Sequence, residues 1–304
     1  MRIERLRAPP LLRAGDRVRV VAPCGPFDRA AFEAGVARLR GWGLEPVFDE
    51  GIFARAGYLA GPDERRLAEL NAAIADGDAR AVWAARGGYG ATRILPAVDL
   101  AALARRPKWL VGFSDVTALH ALWARAGVVS MHAANVTTLD PWQDAAREAL
   151  HGWLFEGCGP ALRGEVVRAG EVVRGPVLGG NVALLAAMVG TGFLPDLTGA
   201  ILIVEDVREP PYRLDRLLTQ LLHARVLDAV AGVAVGGLTR CDDPPEREAA
   251  CRGIDVVCER LGTLGVPMIV GLPVGHEPDA FPLPLGLHGV LDPARGELRI
   301  AAVA

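Results

Sequence analysis

Residues 109–120 read Trp-Leu-Val-Gly-Phe-Ser-Asp-Val-Thr-Ala-Leu-His. Trp109-Leu110-Val111 reads as the end of a buried strand, Gly112-Phe113-Ser114 as a tight turn, and Asp115 onward as a helical pattern. A serine on a sharp strand-to-helix turn has its hydroxyl lifted clear of the sheet, above a helix N-terminus that favours negative charge. That is the geometry of a nucleophile elbow, although Val116 stands where Gly-x-Ser-x-Gly has its second glycine. The same residues also suit a helix N-cap.

Serine catalysis needs an imidazole and a carboxylate beside the nucleophile. His276 lies in Gly275-His276-Glu277-Pro278, a loop shaped by glycine and proline after an apolar strand, where catalytic groups collect. His132 also follows a strand-like segment and is its rival; His120, His151 and His223 lie on helical patterns and read as surface or packing residues. Glu205 ends the apolar run Ile201-Leu202-Ile203-Val204, where a charge is costly unless it is paired or solvated. Asp206 follows it, and either residue could simply cap the next turn. Ser114, Glu205 and His276 run in the order Ser…Glu…His of a hydrolase triad. The Arg86-Gly87-Gly88-Tyr89-Gly90 loop offers unobstructed N–H groups, one of which could complete an oxyanion hole with the N–H of Asp115. It lacks a Walker lysine and the dinucleotide glycine spacing, and as a tight turn it needs no ligand.

The elements that must hold these groups alternate. Val18–Ala22, Ala81–Ala84 and Trp109–Val111 read as strands. Helical patterns lie between them, carrying Phe32, Val36 and Leu39, then Leu67, Leu70 and Ile74 after Asp63, and then a short helix from Asp99. Alternation predicts an α/β fold with a doubly wound, mostly parallel N-terminal sheet, and ligands beyond the carboxyl ends of its strands. The Cys24, Gly87 and Ser114 turns all fall on that edge. Residues 1–156 form the predicted N-terminal domain and 157–175, rich in Gly, Arg and Val, the linker. Residues 176–304 form the predicted C-terminal α/β domain, with Asn181 capping a small-residue helix and a closing hairpin around Asp292-Pro293.

The chain has 304 residues, 51% of them apolar, and a net charge of −3. A large core is expected, and nothing in the charge distribution points to nucleic acid. No apolar run is long enough to span a bilayer, and no apolar signal core follows residues 1–5, so a cytoplasmic protein is expected. The five cysteines show no paired short spacing, and Cys251 and Cys258 read as core thiols of one helix; neither a disulfide framework, a metal site nor a cofactor is expected.

Several blocks stand in one order. They are Ala22-Pro23-Cys24-Gly25-Pro26, Ala85-Arg86-Gly87-Gly88-Tyr89-Gly90, Gly112-Phe113-Ser114-Asp115-Val116-Thr117, Gly179-Gly180-Asn181, Val204-Glu205-Asp206 with Pro211-Tyr212-Arg213-Leu214-Asp215-Arg216, and Gly271-Leu272-Pro273-Val274-Gly275-His276. Over nearly its whole length the sequence resembles the LD-carboxypeptidases, a serine peptidase family that includes the microcin-immunity peptidases. The resemblance implies Ser114 as nucleophile, Glu205 rather than Asp206 as orienting carboxylate, His276 as base, and the N–H groups of Asp115 and Gly88 as oxyanion donors. It implies that the C-terminal α/β domain is smaller and β-rich. It also implies a cytoplasmic homodimer that removes terminal D-alanine from a murein tetrapeptide, with no cofactor. Arg86, Asn181 and Arg208 are the candidate substrate-binding residues. Cys24 departs from the serine that many members carry near the site. The alternatives are a peptidase that detoxifies a peptidyl-nucleotide antibiotic, or a non-catalytic α/β module that binds a small ligand.

Overall fold

A computed structural model of the protein describes residues 6–303; residues 1–5, read above for a signal core, lie outside them. Its strands, in chain order, are β1 (Arg17–Val21), β2 (Glu45–Val47), β3 (Ala79–Ala84), β4 (Trp109–Gly112), β5 (Ser130–His132), β6 (Leu162–Arg163) and β7 (Glu165–Arg168). They continue with β8 (Val173–Asn181), β9 (Ile201–Val207), β10 (Gly232–Thr239), β11 (Met268–Val270), β12 (Leu283–Leu285), β13 (His288–Asp292) and β14 (Glu297–Ile300). The first sheet runs β12-β5-β4-β3-β1-β2, parallel from β2 to β5. Its central strands β3 and β4 are the near-continuous apolar runs that a parallel sheet buried on both faces calls for; in β4 every residue is buried. The strand order reverses between β1 and β3, the place where open parallel sheets hold ligands. The turns after these two strands meet there, with Gly25 N–H donating to Gly87 O at 3.0 Å.

The second sheet runs β6-β14-β13-β8-β9-β10-β11-β7, with a parallel centre from β8 to β11 and antiparallel flanks. The stretch expected as a linker, 157–175, carries β6, β7 and the start of β8. Its Glu165-Val166-Val167-Arg168 segment has no helical period because it is an exposed edge strand. The sheets are also interlocked. β12 comes late in the chain yet pairs antiparallel with β5, placing Leu283 opposite His132. Thr117 Oγ1, in the helix behind Ser114, accepts from Asn181 N–H at 3.1 Å.

One apolar core joins Trp83, Leu110 and Leu119 to Leu202, Val204 and Val235. Ile201, Ile203 and Ala234 belong to a second cluster on the opposite face of the second sheet. The alternation along β9 is the two-residue period of a strand, and it sends Glu205 and Asp206 to opposite faces. Cys251 is exposed and precedes the helix Gly253–Gly262 rather than packing in it; Cys258 is half-buried. The arithmetic spacing alone could not locate the helix start, which Arg252 and its partner Asp255 mark.

Candidate active site

Ser114 is one of the few non-glycine residues with left-handed backbone, at φ 66°. Such a conformation costs on the order of 1–2 kcal/mol for a residue with a Cβ. It persists because β4 and the buried helix Thr117–Arg125 fix both sides of the turn. The Arg86–Gly90 loop packs directly on it: a Cβ at Gly87 would come within 2.9 Å of Ser114 Cβ. Asp115 stitches the two loops together, its buried carboxylate accepting from Ala91 N–H at 2.9 Å. Burial pushes the Asp115 carboxyl up, against that hydrogen bond and a contact from Cys24. The fully buried guanidinium of Arg66 adds a second stitch, donating to both Pro23 O and Gly90 O.

On the facing side, His276 Nδ1 lies 2.7 Å from Glu205 Oε2. Gly275 makes that approach possible: it has φ +124°, and a Cβ there would sit 2.9 Å from the same carboxylate oxygen. Glu205 is completely buried. Burial pushes its carboxyl up, but the flanking imidazoles His132 and His276 outweigh that and hold it down at about 2. A buried anion of this kind is sustained only by such partners. Asp206 turns the other way. It accepts from Asn181 Nδ2 at 2.8 Å, Ala183 N–H at 2.9 Å and Val207 N–H at 2.8 Å. Burial, and then the charge of Glu205, raise its carboxyl to about 6 despite these bonds.

Ser114 and His276 line one open cleft of about 750 Å³ together with Arg86, Gly88, Phe113 and Arg208. The structure therefore brings Ser114, His276, Gly88, Arg86 and Arg208 to one cleft, with Glu205 buried behind His276. Asn181 is not among the cleft-lining residues. Its side chain accepts from Leu184 N–H at 3.2 Å as the expected helix cap and donates to Asp206. Cys24 lies buried beside the Ser114 turn, where burial, followed by the Asp115 carboxylate, pushes its thiol far up; it is not among the residues that line the cleft. His120 is a packing residue, its Nε2 2.9 Å from Gly112 O.

The residue types at strand ends pointed to the cleft only in part. Arg240, at φ 57° beyond β10, and Thr239 line it too. Thr239-Arg240 follows an apolar strand as Glu205 and Ser114 do, and that was the available signal. Asn135 and Thr138, at the N-terminal boundary and inside the short helix Val136–Leu139 that follows β5, carry no comparable sequence mark.

The family model of the LD-carboxypeptidase N-terminal domain matches residues 18–133, and that of the C-terminal domain matches 174–291. The chain belongs to the LD-carboxypeptidase family. A murein tetrapeptide carboxypeptidase of Pseudomonas aeruginosa is 33% identical over 290 residues, covering 91% of this chain and 93% of its own. The muramoyltetrapeptide carboxypeptidase of Oxalobacter formigenes superposes with a TM-score of 0.82 at 27% identity, over 93% of this chain and 97% of that one. MccF, solved in complex with glutamyl sulfamoyl guanosine, superposes at 0.84 over 97% and 98% of the two chains, at 23% identity, and shares the fold. Membership in this LD-carboxypeptidase family makes the protein a serine-type carboxypeptidase, a hydrolase of peptide bonds. No helix among the described residues is long and apolar enough to cross a membrane.

Proposed function

We propose that the protein is an LD-carboxypeptidase that hydrolyses the amide between the L-configured centre of a diamino acid and a terminal D-alanine in a murein tetrapeptide. The observation that carries this reading is the 2.7 Å His276–Glu205 contact on the same cleft as a left-handed Ser114. In this reading His276 Nε2 takes the Ser114 hydroxyl proton as Oγ attacks the amide carbonyl. The oxyanion is met by the N–H groups of Asp115 and Gly88, which donate to no other group among the described residues. Glu205 stabilises the imidazolium, which then returns its proton to the leaving amine of D-alanine. Water, activated by the same imidazole, releases the acyl group from Ser114. Arg86, Arg208 and Arg240 line the cleft, and among the described residues none of them has an acidic partner in hydrogen-bond range; Arg86 donates to Pro26 O, and a planar guanidinium suits a free carboxylate.

The relatives named for murein peptides support the substrate class. The test compares turnover of a tetrapeptide ending in D-alanine with its L-alanine epimer and its C-terminal amide. Cleavage of the first alone is expected; equal rates on all three overturn the reading. Cleavage of none, with Ser114 still acylated by an activated ester, would favour a peptidyl-nucleotide substrate instead. A cytoplasmic homodimer is part of the same proposal, and light scattering that gave a monomer would remove the dimer from it.

A further inference from the structure

Glu205 has a second imidazole beside it that the mechanism above leaves unused. His132, the last residue of β5, is buried, and its Nε2 stands 3.9 Å from Glu205 Oε1. Both atoms are shut off from solvent, and neither has a hydrogen-bond partner among the described residues. Buried polar atoms are rarely left orphaned, and here a nitrogen and a carboxylate oxygen face each other. A side-chain shift of about 1 Å closes the gap to an ordinary N–H···O bond. We propose that His132 is a positioning residue that donates Nε2–H to Glu205 Oε1, so that the carboxylate is gripped by an imidazole on each oxygen. The proposal rests on the Ser114–His276–Glu205 reading given above.

The backbone around His132 shows what such a grip would do. His132 pairs with Gly112, two residues before Ser114, in the first sheet. On its other side it pairs with Leu283 of β12, the strand that follows the His276 loop. Glu205 belongs to the second sheet. A bond from His132 therefore registers the carboxylate of one sheet against the strand that carries the nucleophile of the other. It also stops Glu205 from rotating its Oε2 away from His276 Nδ1. The aromatic rings beside the His132 ring are Phe113 and His120, with ring centroids at 6.0 and 6.1 Å. His120 brings no charge: burial, and then His132, push it down to about 3. Gly112 O can only accept, so His120 Nε2 carries the proton and Nδ1 accepts from Ser130 Oγ at 2.8 Å. Among the described residues the titratable groups facing His132 are then Glu205 and, across it, His276, with Glu277 on the same pocket; Asp206 points to the opposite face of β9.

The test uses burst acylation of Ser114 by p-nitrophenyl acetate in the full-length protein, which needs no peptide substrate. His132→Phe keeps the ring and removes the donor. It is expected to slow acylation roughly 30-fold or more, while the KM for the ester changes less than threefold. His132→Gln, whose amide can reach Glu205, is expected to restore the rate to within about fivefold. Losing the donor leaves Glu205 a stronger base, which stabilises the His276 imidazolium. The acid limb of the pH–acylation profile should therefore move to higher pH in the Phe variant and return in the Gln variant. A purely structural role would lower the rate without moving that limb. If His132→Phe does not fold, His132→Asn, polar but one bond too short, should be slow where His132→Gln is fast. Wild-type rates and an unmoved limb in folded His132→Phe or His132→Asn overturn the proposal. Equal labelling of Ser114→Ala and wild type would instead remove the triad reading, and the role of His132 with it.

Discussion

Two adjacent acids at the end of β9 carry opposite environments, and the difference is testable residue by residue. Glu205 is held at about 2 by two imidazoles, whereas Asp206 is raised to about 6 by burial and by Glu205. Glu205→Gln is expected to lower kcat by roughly 10⁴, as loss of an orienting carboxylate does in serine peptidases. Ser114→Ala should lower it by roughly 10⁴–10⁶ with the fold intact. Asp206→Asn should retain far more activity but lose stability, because one backbone or amide donor then meets an NH₂ instead of an oxygen. The pH dependence of that loss has a definite sign. A carboxyl whose folded pKa lies above its unfolded one subtracts stability as pH rises from about 4 to about 6. Asp206→Asn removes that subtraction, so its deficit against wild type should shrink across this window, by on the order of 3 kcal/mol. Urea unfolding at pH 4, 5, 6 and 7 checks it; a deficit that grows with pH would mean Asp206 is stabilised as an anion.

At the scale of the element, the strand-to-helix turn at Ser114 stores conformational strain. β4 enters fully buried and the helix Thr117–Arg125 leaves fully buried except at its end, so the turn between them has no freedom to relax. A residue without a Cβ would sit at φ 66° without penalty. Ser114→Gly is therefore expected to be more stable than Ser114→Ala by about 1 kcal/mol, with both expected to be inactive. Equal midpoints in chemical denaturation would show that the turn is unstrained. The loops that meet this turn are held by buried groups on neighbouring elements, Asp115 to Ala91 and Arg66 to Pro23 and Gly90.

For the whole molecule, the two sheets share a core and exchange a strand, which couples their stabilities. All six tryptophans lie between Trp42 and Trp153, so fluorescence reports the first half of the chain while far-ultraviolet circular dichroism reports both. The two probes are expected to give superimposable urea transitions, the behaviour of one cooperative unit. A second transition seen only by circular dichroism would show that the second sheet unfolds independently. Coupling matters to the chemistry because Ser114 comes from the first sheet while Glu205 and His276 come from the second.

Sequence alone was enough for the parallel first sheet, because continuous apolar strands separated by amphipathic helices leave little other architecture. It also placed Ser114, Glu205 and His276 at strand ends, and the parity of β9 follows from the period of any strand. What required the folded molecule was anything set by contacts across long separations in the chain. β12 returns to the first sheet, and the short edge strands of 162–168 take their form from pairing partners far away, at Glu297–Leu298 and Met268–Val270. Asn181 reads as the cap of a small-residue helix, which Leu184 N–H bears out, but only tertiary packing shows that Asp206 takes its side-chain amide as well. His132 and His276 read alike, each a histidine after a strand. The folded chain separates them physically: His276 lines the cleft beside Ser114, while His132 is buried against Glu205 and is not among that cleft's lining residues.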